Sequence, residues 1–171
     1  LGAEGNPPTP PTRCTMPSSK RNPMKTVLFV CTGNTCRSPL AEGIARGLVA
    51  KGIEGVNTDL LVVSAGIFAS SGAPTSPETV TALEARGYRC DGASTPLSEE
   101  MIDGADVVFG MTASHVDAAK HLAPSTSTPI ERLDPQGDID DPIGMDEATY
   151  ERLAMYLEEV IPPRLVEFVG G

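Results

Sequence analysis

The chain has no tryptophan, only two histidines (His115 and His121), and 13 basic side chains against 23 acidic ones. Each shortage removes a class of function. A formal net charge of −10 argues against nucleic acid as a partner, since phosphate backbones are held by clustered Lys and Arg. Any electropositive pocket must therefore be local. No apolar run approaches the roughly 18 residues that a bilayer-crossing helix needs, so no membrane partner is expected. The four cysteines (Cys14, Cys31, Cys36 and Cys90) and two histidines make a poor zinc pattern, because Cys-x4-Cys beside an arginine lacks the paired spacing of such sites. No metal or other cofactor is expected.

What is present fits one small enzyme domain. At 171 residues there is chain enough for one core and not for two. Residues 1–24 carry Pro7, Pro8, Pro10, Pro11, Pro17 and Pro23 among small polar residues. They bury too little to fold alone and are unlike a secretory signal, so a disordered tail is expected, with Met16 or Met24 as the natural start. The folded domain is then residues 25–171, and a cytoplasmic location is expected, where structural disulfides have little use.

Short apolar runs alternate with helical patterns along that domain. Strands are expected at Thr26–Val30, Leu60–Val63 and Asp106–Gly110, with a weaker one at Pro129–Leu133. Helical spacing covers Ala41–Val49, Ser76–Arg86, Leu97–Asp103, Ala113–Leu122 and a long stretch from Glu147 to about Phe168, which Pro162-Pro163 should break or kink. The alternation predicts an α/β fold, a single three-layer domain on a four-stranded, parallel, doubly wound sheet.

The chemistry concentrates where the first strand ends. Cys31 to Arg37 reads Cys-x5-Arg, short enough for the N–H groups of Thr32, Gly33, Asn34, Thr35 and Cys36 to wrap a tetrahedral oxyanion. Arg37 can add a bidentate guanidinium fork. Pro39 suits the first position of a helix whose free N–H groups also face the anion. That positive potential favours a nucleophilic thiolate at Cys31 without a histidine base. A lone cysteine ending such a strand would ordinarily be a small buried hydrophobe, but the surrounding loop reverses this reading. Gly33 permits a positive φ in the loop, while Asn34 and Ser38 are suited to holding its shape and supporting the thiolate. Cys36 either packs beneath the loop or captures an oxidised Cys31 as a disulfide, which a thiol reductant would reopen.

Val27 to Glu42 resembles the signature of the low-molecular-weight protein tyrosine phosphatase family, and within it the bacterial protein-arginine phosphatase branch. The resemblance runs from about Met24 to the C-terminus and includes Ser64-Ala65-Gly66 and Asp141-Pro142. It implies a phosphorylated protein as substrate, phosphate or another oxyanion as ligand, Cys31 and Arg37 as catalytic residues, and Asp141 as general acid. The residues alone do not separate Asp141 from Asp138 and Asp140. Substrate specificity is expected from Thr35, Phe68 and Ile143. Thr35 stands where the tyrosine branch usually has a larger isoleucine, and no aromatic follows Asp141-Pro142. Those features resemble the arginine branch, although Ile143 departs from its usual phenylalanine. Gly92 replaces a histidine that often supports the loop, so support is expected from Asn34, Ser38 and Ser64 alone. Phosphoarginine hydrolysis is the favoured reading and phosphotyrosine hydrolysis the alternative. Arsenate reduction, which needs two further neighbouring cysteines where Cys90 stands alone, and a non-catalytic phosphate-binding module are weaker.

Overall fold

The computed structural model describes residues 24–90 and 92–170. The expected tail, with Cys14, lies outside the described residues, Met24 excepted. Nine elements follow in order: β1 (Thr26–Cys31), α1 (Arg37–Lys51), β2 (Leu61–Gly66), α2 (Pro77–Ala85), α3 (Glu99–Asp103), β3 (Val107–Gly110), α4 (Ala113–Leu122), β4 (Ile130–Arg132) and α5 (Glu147–Val169).

The strands form one parallel sheet in the order β2-β1-β3-β4. Because successive side chains alternate between faces, β1 feeds two cores at once. Val27, Phe29 and Cys31 join the cluster beneath α1, α2 and α5, whereas Leu28 and Val30 join the one beneath α3 and α4. Both faces are covered, which is why these strands read as apolar runs without alternation. The chain leaves β1 for β2 on one side and returns to β3 on the other. That reversal opens a crevice at the carboxyl ends of β1 and β3, where ligands of such sheets bind. β2 extends three residues past the expected Val63, so Ser64, Ala65 and Gly66 lie on the sheet, with Gly66 in register with Cys31.

Pro162 and Pro163 do not break the last helix: α5 runs uninterrupted through both. The carbonyls that lose their i+4 donors belong to Glu158 and Glu159, half-buried and exposed respectively, where water can replace the missing N–H groups. Leu157 and Ile161 before the prolines, and Leu165 and Val169 after them, are buried in the same cluster and anchor both halves to the core. Arg164 fixes the second half. Its buried guanidinium donates to the carbonyls of Leu133 (3.0 Å) and Arg132 (2.8 Å) and lies over the rings of Phe109 and Phe168.

α1 approaches its neighbours closely because it presents glycine toward them. A Cβ on Gly47 would lie 2.2 Å from Tyr88 Cδ1, and one on Gly43 would lie 2.7 Å from Leu83 Cδ2. Gly47→Ala should therefore lower the unfolding free energy by about 1–2 kcal/mol, the overpacking cost outweighing the gain in helix propensity. Urea denaturation of the two proteins checks this, and an unchanged or raised midpoint contradicts it.

Candidate active site

β1 delivers Cys31 to the mouth of the crevice with 2% of its surface exposed. Its sulfur lies 2.9 Å from the hydroxyl of Ser38, the second residue of α1. Ser38 Oγ accepts an N–H from Asn34 Nδ2 at 2.8 Å, and its own hydrogen has two acceptors in reach, the Cys31 sulfur at 2.9 Å and the Ala65 carbonyl at 3.5 Å. The same Asn34 amide donates to Ser64 Oγ at 2.9 Å, and Asn34 Oδ1 accepts the Thr95 N–H at 2.8 Å. Asn34, Ser38 and Ser64 therefore meet as expected.

Other expectations are corrected. Gly33 does not take the positive φ; Asn34 does, at 54°, a conformation asparagine tolerates better than most side chains. Pro39 is the third helical residue, because α1 begins at Arg37. It still falls in the first turn, where its missing N–H would have had no partner. Nor do three side chains support the loop alone. The carbonyls of Cys31, Thr32 and Thr35 accept N–H groups from Ile67 (3.0 Å), Phe68 (2.9 Å) and Ser76 (2.9 Å). Gly66 closes the other side, since a Cβ there would lie 2.5 Å from the Thr32 carbonyl oxygen and 2.8 Å from the Asn34 nitrogen. Backbone clearance of this kind leaves little mark in a sequence beyond the glycine itself.

Arg37 is buried and points across to the loop after β4. It donates to the Ile139 carbonyl at 2.9 Å and pairs with Asp141 Oδ2 at 3.5 Å. Ile139 is held in turn by its N–H on the Met111 carbonyl, 2.8 Å away at the end of β3. The three aspartates that the residues alone left open are now distinct. All three are exposed, but Asp138 accepts the Ala113 N–H and an Arg132 hydrogen bond, and Asp141 is the one paired with Arg37. Asp141 is itself oriented by the Ile143 N–H at 3.1 Å. Phe68 and Ile143 are 82% and 65% exposed, so both side chains are free to meet whatever enters. Among the described residues, no group of three His, Cys, Asp or Glu side chains could hold a metal ion.

Cys36 sits beneath the loop, its sulfur 3.5 Å from both Ser76 Oγ and Tyr150 Oη. Burial, followed by the Cys36 contact, pushes the Tyr150 hydroxyl up to about 12, so it remains a neutral donor at ordinary pH. Thr35 is half-buried, with its hydroxyl 3.8 Å from the Cys36 sulfur.

His115 is buried as a packing histidine would be but also reaches the loop. Its Nδ1 accepts the Thr112 N–H at 3.2 Å, and its Nε2 lies 2.9 Å from Thr32 Oγ1. Burial and then the neighbouring Arg37 bring its pKa down to about 4 from 6.5, against the opposing pull of Asp138 and Asp141. A neutral ring is what lets Nδ1 accept. Since the native state holds fewer protons than the unfolded chain above pH 4, this contribution is complete above pH 6.5 and shrinks as pH falls. Unfolding free energy should therefore drop between pH 7 and pH 5 with uptake approaching one proton. In His115→Asn that component should vanish, and a parallel pH dependence in the two proteins would contradict it.

A sequence model of the low molecular weight phosphotyrosine protein phosphatase family matches residues 26–167. A protein-arginine-phosphatase of Bacillus subtilis is 34% identical over 140 residues, covering 79% of this chain and 91% of the relative. The low molecular weight protein-tyrosine-phosphatase YfkJ of that organism is 37% identical over 113 residues, covering 64% and 71%. The crystal structure of a YwlE mutant from Bacillus subtilis superposes with a TM-score of 0.77 at 32% identity, covering 84% of this chain and 97% of that one. The chain belongs to the low molecular weight phosphotyrosine protein phosphatase family.

Proposed function

We propose that the protein hydrolyses phosphorylated side chains of proteins, phosphoarginine foremost, with Cys31 as nucleophile and Asp141 as general acid and base. The observation that carries this reading is that one short loop runs from Cys31, whose sulfur lies beside Ser38, to the buried Arg37, which pairs with Asp141. In the first step the thiolate attacks phosphorus as the bond to the leaving nitrogen breaks, and Asp141 gives that nitrogen a proton. A cysteinyl-phosphate results. In the second step Asp141 takes a proton from water, whose oxygen attacks phosphorus and releases inorganic phosphate and the thiolate. The loop N–H groups and Arg37 bind the equatorial oxygens in both transition states, the contribution expected to be largest.

The preference for phosphoarginine rests on Thr35, on Ile143 in place of an aromatic wall, and on likeness to a protein-arginine-phosphatase. A small polar residue at position 35 leaves room for a guanidinium and a hydroxyl to face it, and the Asp141 carboxylate matches the charge of the guanidinium once it has given up its proton. The exposed Phe68 ring suits phosphotyrosine as well, by stacking, which keeps that substrate as the second reading. Cys36 shares the loop with Cys31, so attack of its thiol on a Cys31 sulfenic acid, with loss of water, would form a disulfide for a thiol reductant to reopen. That reaction requires Cys36 to leave Ser76 and Tyr150. A cytoplasmic setting would supply the reductant.

Three variants test the reading. Cys31→Ser should abolish turnover while still binding inorganic phosphate, and full retention of turnover contradicts the nucleophile. Asp141→Asn should lower kcat by about 10²–10⁴-fold with little change in Tm, the usual range for a lost general acid. On matched peptides the wild type should show the higher kcat/KM with phosphoarginine, and Thr35→Ile should move that ratio toward phosphotyrosine. A wild-type preference for phosphotyrosine overturns the specificity and leaves the cysteine mechanism standing.

A further inference from the structure

Thr32 is exposed, yet its side chain is held by a buried partner from a different element. His115 stands in the first turn of α4, where Thr112 caps the helix by accepting the His115 N–H at 3.3 Å, while the ring takes the Thr112 N–H in return. This reciprocal box uses up Nδ1 as an acceptor, so the neutral ring carries its hydrogen on Nε2. That hydrogen points at Thr32 Oγ1, 2.9 Å away. With the oxygen already accepting, the Thr32 hydroxyl hydrogen remains for an acceptor arriving from outside. The backbone of the same residue is tied down as well, its carbonyl accepting the Phe68 N–H with Gly66 packed against it.

We propose that His115 is a positioning residue of the phosphate-binding loop, which fixes Thr32 to the start of α4 and turns the Thr32 hydroxyl into a donor toward the bound substrate. The chain of donation runs from the Thr112 N–H to His115 Nδ1, from Nε2–H to Thr32 Oγ1, and from the Thr32 O–H outward. Thr32 is the residue directly after the nucleophile, so its placement also sets the first N–H of the oxyanion cradle. The inference rests on the phosphatase reading for its substrate and on geometry alone for the coupling between His115 and Thr32.

Asparagine and glutamine separate the two jobs of the ring. Asn at 115 can still accept the Thr112 N–H and keep the cap, but is too short to reach Thr32. Gln extends as far as Nε2 and can donate to Thr32. The experiment measures kcat and KM on a phosphopeptide, and Kd for inorganic phosphate by calorimetry, in His115→Asn, His115→Gln, Thr32→Val and the His115→Asn/Thr32→Val double variant. Loss of one hydrogen bond should cost each single variant about five- to ten-fold in kcat/KM and weaken phosphate binding in parallel. The double variant should be no worse than either single one, and His115→Gln should recover most of the loss. Unchanged function in His115→Asn, or a double variant whose loss is the product of the singles, overturns the proposal. Should the wild type bind phosphate with this coupling but turn over no phosphopeptide, the phosphatase reading fails and the positioning role stands.

Discussion

The site depends on one buried side chain, the amide of Asn34. A left-handed residue in the middle of a short loop is held only if something over-determines it. Here the side chain that tolerates that backbone also anchors it, giving two hydrogen bonds, to Ser38 and Ser64, and accepting one from the Thr95 N–H. Those three partners come from α1, β2 and the segment before α3. Ser38 receives from Asn34 and turns its own hydrogen toward the Cys31 sulfur and the Ala65 carbonyl. The surroundings of Cys31 and the loop conformation are thus one network, and a buried network of this kind is strong only while every member is satisfied. Among the described residues, no buried side-chain nitrogen or oxygen lacks a partner.

Charge is organised on the same principle. On a chain of net charge −10, an anion site survives only where positive potential is concentrated and water is limited. α1 points its N-terminus at the loop, and its first residue is Arg37, whose burial keeps the guanidinium from solvent screening. One nitrogen is bound to the Ile139 carbonyl and another faces Asp141, so the arginine is aimed before any ligand arrives. His115 contributes no competing charge, since burial and Arg37 keep it neutral. The loop that carries Asp141 is fixed by the Ile139 N–H on the Met111 carbonyl and by the Asp138 carboxylate on the start of α4.

Much of this is legible in the sequence, for reasons of period and proximity. Apolar runs of strand length alternating with helical patterns lead to the parallel sheet, and the loop from Cys31 to Ser38 is contiguous, so its chemistry is visible in one reading. Asp141, a hundred residues downstream, is singled out only by family resemblance until the fold sets it beside Arg37. Where the reading fails, tertiary packing has overridden a local rule. Pro162 and Pro163 remain inside α5, which buried residues on both sides and Arg164 anchor to the core. Gly33 looks like the flexible point of the loop, but the anchors available to a side chain place the left-handed turn at Asn34. His115 lies 83 residues from Thr32 and is spaced like any helix histidine, so nothing local connects the two.

Thr32 shows how the architecture distributes this control. The residue has little side chain of its own to bury, yet β2, the segment after it and α4 all converge on it. Gly66 presses against its carbonyl, the Phe68 N–H binds that carbonyl, and the His115 ring binds its hydroxyl. Each contact comes from a connection leaving the carboxyl edge of the sheet, where β2 and β3 flank β1. A parallel sheet places the ends of neighbouring strands at one level, so the loops that follow them can grip a single residue from several sides. The same packing that fixes Thr32 also presents Phe68 to solvent two residues after Gly66. The geometry of the loop and the exposure of Phe68 are therefore set by the same few contacts, which reach Thr32 from β2, the segment after it and α4.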